Sequence, residues 1–355
     1  MRIGIAGAGA IGYASAAWLA HQSHRVTLWS PRGDTAAALR AAPLRASGLL
    51  SAEVAVDVAD DAAALVAASD VVLITTPVNG HRAIADALAP HLRDDISVIV
   101  SSMASLSALY LHEALQRRGC DVLVAAFGTT VLTARREGPA SVRIMTQRQK
   151  LGVSALGPGG IDAAMALCTA LFGDVFTPEA NMLASALVNI NPVAHGPLAL
   201  FNWTRIERGE DWPQYLNMTP HVARAITQLD GERLALAAAF GLRVRAIETH
   251  FALSFGTSAP DLAGIAAELH AQRGGPPGPT EVTTRFLAED IPFGLVFLSQ
   301  LGRIVSLPTP AIDATIAAAS LITGHDFSAG NDLMGPLGLA GETRAGLLQR
   351  VAGSG

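Results

Sequence analysis

Six residues near the start of the chain, Gly7-Ala8-Gly9-Ala10-Ile11-Gly12, constrain it more than any other feature. The spacing G-x-G-x-x-G arises easily in a sequence with 34 glycines, so its setting has to supply the specificity. It directly follows an apolar run, residues 2–6, and opens a stretch of helical composition, residues 11–20. At such a strand-to-helix turn the first glycine permits the tight bend and the second lets backbone approach a pyrophosphate. The third lets the helix pack closely on the strand. Unpaired N–H groups and the positive end of the helix dipole then favour phosphate. Gly7, Gly9, Ala10, Ile11 and Gly12 are therefore candidate cofactor-binding residues.

Short β-branched runs continue from there, at 25–29, 71–75, 97–101 and 121–125, with a late strand at 142–145. Between them, residues 60–68, 79–92 and 106–118 are long enough for helices. Strand–helix–strand repetition with short joins predicts a parallel sheet covered on both faces. After about residue 181 the strand signals stop. Residues 181–201 keep a helical period despite Pro192, and Thr219-Pro220 reads as a helix start. Residues 273–280 stack glycines and prolines into a loop, and 290–305, 310–323 and 343–351 read as helices. The fold class is thus α/β, an N-terminal Rossmann-type doubly wound parallel sheet, plus an all-α C-terminal domain. The division falls at 1–178 and 179–355.

Composition narrows the partners. Half of the 355 residues are hydrophobic and 15% are charged, enough for two cores and too apolar for disorder. The net charge of −5 and the lack of a basic run argue against nucleic acid. Glycines interrupt the apolar N-terminus, which argues against a signal peptide, and no run has the length of a membrane span. The two cysteines, Cys120 and Cys168, are too few for a disulfide framework and point to a reducing, cytoplasmic setting. No His-Glu-x-x-His or comparable metal pattern occurs. The expected partners are small molecules, with a homodimer as the assembly considered.

An NAD-binding strand commonly ends in an acid that holds the ribose hydroxyls. Here the second strand runs into Trp29-Ser30-Pro31-Arg32, with no acid at its tip. Ser30 and Arg32 suit a 2′-phosphate, so NADP is the expected cofactor, with NAD as the alternative. Thr76 and Pro77 follow another strand and fall where ligands lie in parallel sheets, beyond the carboxyl ends of the strands.

The helical part carries polar residues unsuited to a plain core. In Asn189-Ile-Asn191-Pro-Val-Ala-His195-Gly-Pro197, Asn191 and His195 are four apart and share a helix face. In Arg285-Phe-Leu-Ala-Glu289-Asp290-Ile-Pro-Phe-Gly294, Asp290 could cap a helix or fix a histidine tautomer and stabilise its imidazolium. Arg285 could grip a substrate carboxylate through its planar fork or form a surface ion pair.

Together these two segments resemble the opine (octopine/nopaline) dehydrogenase family. Tyr215 to Arg224, Leu229 to Ala235 and Gly335 to Gly341 resemble it as well, so the likeness covers nearly the whole chain. The resemblance implies reductive condensation of a 2-oxo acid with the amino group of an amino acid, through an imine, with hydride from a nicotinamide. It implies His195 as the catalytic histidine, Asp290 as its acidic partner, and Asn191 and Arg285 as substrate contacts. Two stretches depart from the pattern. Ser101-Ser-Met-Ala-Ser105 stands where Pro-Gly-x-x-Gly-Gly is expected, and Val131-Leu132 replaces Pro-Tyr. A ketopantoate-reductase-type oxo-acid reductase shares the N-terminal pattern but relies on a lysine in its helical domain. No lysine follows Lys150. A non-catalytic NADP-binding sensor is the reading from a different class.

Overall fold

A computed structural model describes residues 1–352, with Asp34 described for its backbone only. The chain forms two compact units. The first comprises Met1–Ala186 and takes back the C-terminal residues from Leu348; the second is Leu187–Leu347.

Among the described residues, twelve strands lie in the first unit: β1 (Arg2–Ala6), β2 (Arg25–Trp29), β3 (Leu44–Gly48), β4 (Ala52–Val54), β5 (Asp57–Val58), β6 (Val71–Ile74), β7 (Ser97–Val100), β8 (Val124–Phe127), β9 (Leu132–Gly138), β10 (Ser141–Gln147), β11 (Leu151–Leu156) and β12 (Phe176–Pro178). Eight make the main sheet, in the order β12-β11-β8-β7-β6-β1-β2-β5. From β5 to β8 every pairing is parallel, and β11 then runs antiparallel to β8. The central strand β1 is buried from Ile3 to Ala6, as its unbroken apolar run requires when helices cover both faces. Register aligns Ala6 with Trp29 on one side and Ile74 on the other, and Ile74 with Val100. The turns after β1, β2, β6 and β7 therefore meet at one edge of the sheet, where the strand order reverses direction. That is where ligands bind in open α/β sheets.

The late strand expected at 142–145 lies elsewhere. It belongs to β10, in a separate four-stranded sheet ordered β4-β3-β10-β9. The reason is legible afterwards. Arg135, Glu137, Arg143 and Met145 alternate as exposed residues, so one face meets solvent, which an inner parallel strand cannot do.

The second unit is helical. Its longest helix, Pro220–Ala239, starts at Thr219-Pro220 as the sequence suggests. The continuous helix expected over 181–201 is instead two, Met182–Leu187 and Asn191–Leu200. Pro192 sits in the first turn of the second, where its missing N–H costs nothing. The Asn189 side chain accepts from Asn191 N–H (3.0 Å) across the break. Likewise 290–305 divides into a π-helical turn, Ile291–Leu295, and an α-helix, Val296–Ile304. Arg233 is fully buried: it donates to Asp230 (2.8 Å) and to the carbonyls of Leu187 and Arg245 (2.5 and 2.6 Å). Charge is tolerated there because each partner is satisfied. The C-terminal helix ends in the first unit, where Arg350 pairs with Glu113 at 2.7 Å. The composition shift near residue 179 gives no sign of that return.

Candidate active site

The glycine turn behaves as its spacing suggests. Gly7 has φ +129°, and its N–H donates to Trp29 O at 2.8 Å. A Cβ on Gly12 would lie 1.9 Å from Gly7 O, so only glycine lets the helix start this close to β1. Above Gly9 there is open space. Gly9 precedes the helix Ala10–His21, which has no side-chain cap and no acid in its first turn. Ala10 and Ile11 are its half-exposed first residues. Uncapped N–H groups facing open space are what a pyrophosphate needs, so the residues present fit a dinucleotide.

The neighbouring turns carry the other candidates. Ser30 is buried at the end of β2, with its hydroxyl 3.3 Å from Thr35 Oγ1. Arg32 is exposed, with no hydrogen bond or ion pair among the described residues. After β6, Pro77 is exposed, and the buried Thr76 hydroxyl has no hydrogen-bond partner. The Thr76 carbonyl accepts from His81 Nε2 at 2.9 Å. That fixes the tautomer, so His81 Nδ1 accepts from the Ser107 hydroxyl at 2.8 Å. Burial pushes His81 down to about 4, the backbone bond to Thr76 opposing only in part. His81 is thus a neutral strut under the Thr76 turn, and its residue type alone did not distinguish it from nine other histidines.

The turn after β7 departs from the expected glycine pattern in residue type, yet its backbone enters the region that glycine favours. Ser102, Ser105 and Leu106 have φ of +61°, +49° and +57°. These are the three places where the resemblance puts glycine. Non-glycine residues in this region cost about 1–2 kcal/mol each, so the turn holds stored strain.

In the second unit, His195 Nδ1 donates to Asp290 Oδ2 at 2.8 Å, both side chains being about 15% exposed. Asp290 makes no capping bond to the turn it precedes, so of its two readings the structure shows the histidine contact. Two close approaches bring the pair together. A Cβ on Gly294 would meet Pro192 at 2.3 Å, and one on Gly196 would meet Ile291 and Leu295 at 3.2 Å. The wide turn is visible in Leu295 N–H donating to Asp290 O, five residues back, at 3.0 Å. Asn331 Nδ2 donates to the Pro292 carbonyl within that turn (2.9 Å).

Phe286 completes the arrangement. Its ring lies parallel to the His195 imidazole, 3° apart in plane and 3.8 Å between centroids. Asp290 fixes the imidazole along its edge and Phe286 fixes its face, leaving Nε2 as the free nitrogen. Nothing in the sequence marks Phe286 apart from a core residue, although it sits beside Arg285. Asn191 lies half-buried one turn before His195, and Arg285 is exposed at the start of a short helix, Arg285–Ala288. Burial pushes the Glu289 carboxyl up to about 7, reinforced by Asp290 and opposed by Arg285. Among the described residues no cluster of His, Cys, Asp and Glu could hold a metal ion. No helix among them is long and apolar enough to cross a membrane.

Comparison with known proteins matches two family models to separate stretches of the chain. Residues 178–323 match the family model described as NAD/NADP octopine/nopaline dehydrogenase, alpha-helical domain. Residues 3–157 match the model for ketopantoate reductase PanE/ApbA. Opine dehydrogenase of Arthrobacter sp. strain 1C is 29% identical over 360 residues, covering 98% of each chain. Octopine dehydrogenase with NADH and L-arginine has a TM-score of 0.81 at 18% identity, over 98% of this chain and 97% of that one. Yersinopine dehydrogenase with NADP+ has a TM-score of 0.72 at 16% identity, over 96% and 97%. At such identities the solved structures establish the fold, while the sequence matches carry the relationship. Over nearly its whole length this chain is thus similar to opine dehydrogenases, NAD(P)-dependent oxidoreductases that act on CH–NH groups.

Proposed function

We propose that this protein is an NADP-preferring opine dehydrogenase of the cytoplasm. It would condense a 2-oxo acid with the amino group of an amino acid and reduce the resulting imine to a secondary-amine dicarboxylate. The observation that carries the reading is the His195–Asp290 pair at 2.8 Å, held in a helical unit that matches the family's own model. The relatives named for octopine and yersinopine dehydrogenase were solved with NADH and NADP+ respectively, so both cofactors occur on this fold. Absence of an acid at the tip of β2, with Ser30 and Arg32 in its place, favours the phosphorylated one. Both cysteines are free and buried, in keeping with a reducing compartment.

Gly7, Gly9, Ala10, Ile11 and Gly12 would hold the pyrophosphate, Ser30 and Arg32 the 2′-phosphate, and Thr76 and Pro77 would border the nicotinamide. When bound, the nicotinamide supplies the hydride. The protein supplies positioning and proton handling. His195, with Nδ1–H committed to Asp290, takes a proton from the attacking amine at Nε2 and returns it to the departing hydroxyl. Asp290 stabilises the imidazolium in between, and the parallel ring of Phe286 holds the face of the imidazole. Arg285 would pair with a substrate carboxylate through two parallel N–H bonds, and Asn191 would contact the substrate from the turn before His195.

The test is NADPH and NADH consumption across a matrix of 2-oxo acids and amino acids. The reading requires oxidation that depends on both substrates and is faster with NADPH. Oxidation with the oxo acid alone, indifferent to any amine, would instead indicate a ketopantoate-reductase type. Tight cofactor binding with no turnover in any combination would indicate a sensor.

A further inference from the structure

We propose that Arg136 is a positioning residue for the dinucleotide, acting by holding the glycine turn in its binding conformation. The inference rests on the dinucleotide reading of that turn. Arg136 lies on β9, in the small sheet, and is partly buried while its neighbours Arg135 and Glu137 face solvent. Its guanidinium sits 4.2 Å above the ring of Tyr13, the fully buried residue that follows Gly12. One terminal nitrogen donates to Ala8 O (3.1 Å) and Thr35 O (3.4 Å). The other donates to Gly138 O (3.2 Å) and Pro139 O (2.7 Å). The Tyr13 hydroxyl reaches the same two segments, 2.8 Å from Thr35 O and 3.0 Å from Pro139 O. One planar fork thus joins the glycine turn, the segment that follows Ser30 and Arg32, and the β9–β10 turn.

The Ala8 contact has a specific consequence. The Ala8–Gly9 peptide is trans, so the Ala8 carbonyl and the Gly9 N–H point in opposite directions. With the carbonyl turned toward Arg136, the Gly9 N–H is turned away from it. Gly9 itself is exposed, and no backbone bond holding the turn uses that N–H. Without Arg136 the peptide could rotate and present a carbonyl to the pyrophosphate, replacing a donor by an acceptor. Lysine would keep the charge but could not span four carbonyls with a planar fork.

The experiment compares NADPH dissociation constants, kcat at saturating NADPH and apo-protein denaturation midpoints for wild type, Arg136→Met and Arg136→Lys. Loss of charge-assisted bonds predicts NADPH affinity lower by about tenfold or more in Arg136→Met, with an intermediate loss in Arg136→Lys. At saturating cofactor, kcat should stay within about twofold, because the proton-transfer residues are untouched. Should Arg136→Met fail to fold, Tyr13→Phe keeps the core ring and removes the hydroxyl contacts, and a several-fold loss of NADPH affinity is expected. Affinity within about twofold of wild type in the folded variant overturns the proposal, as does a fall in kcat with affinity unchanged. Wild-type protein that binds neither NADPH nor NADH would overturn the dinucleotide reading and this inference with it.

Discussion

The two candidate sites are built in opposite ways. At the glycine turn of the first unit the working groups are backbone N–H donors, exposed by the absence of side chains at Gly7, Gly9 and Gly12. In the second unit they are side chains, His195, Asp290 and Phe286, drawn from segments some 95 residues apart. A site made of backbone needs few residues and fixed local spacing. A site made of side chains needs two packed segments, and glycine serves it only indirectly, by letting Gly294 close on Pro192. Substitutions should therefore separate the two: damage to the first should appear in cofactor affinity, and damage to the second in turnover.

The largest effect should come from His195→Ala. Loss of general acid–base help lowers kcat about 10²–10⁴-fold, while NADPH affinity measured by titration should hardly change. A parallel loss of affinity would break the separation. Next in size is the pH dependence carried by His81, which supports the Thr76 turn as a neutral side chain. Its folded value of about 4 lies below its ordinary 6.5, so the unfolded chain binds the proton first as pH falls. Its contribution is complete above 6.5 and is lost progressively towards 4, about 3 kcal/mol in all. Urea midpoints taken between pH 7 and 4 should show this slope, and His81→Gln should flatten it.

Gly12→Ala comes third. Its Cβ would strike a backbone oxygen, which cannot swing aside as a side chain can. Overpacking of this kind costs about 1–3 kcal/mol. NADPH affinity should fall with it, while any residual kcat at saturating cofactor stays near wild type. The smallest effect, and the only stabilising one, is expected from Ser102→Gly. Relief of the positive φ outweighs the added freedom of the unfolded chain by about 0.5 kcal/mol. Thermal denaturation would detect it. If turnover also falls, the serine hydroxyl has a role that the strain accompanies.

Much of the first unit could be read directly. Strands β1 and β2 run over the residues their apolar patterns mark, since inner parallel strands must be apolar on both faces. The small sheet could not be read this way. Only part of β10 shows as a strand, and nothing in 132–138 announces that Arg136 would reach back to Ala8. In the helical unit, Asn191 and His195 share a helix because four residues separate them, but Pro192 begins that helix instead of lying within a longer one. Glu289 carries no local sign that burial would raise it to about 7.

The sequence by itself determined the order of units, the glycine turn and the residue types at the His195 and Asp290 positions. These depend on local spacing, helical period and strand composition, all of which act over a few residues. Only tertiary structure decided that Phe286 would cover the imidazole, that His81 would support the Thr76 turn, and that Arg136 would hold the glycine turn. Each of those contacts is made across a gap in sequence that no local preference spans. Each is specified by the packing of whole elements, in which buried donors and acceptors must find partners wherever the fold brings them.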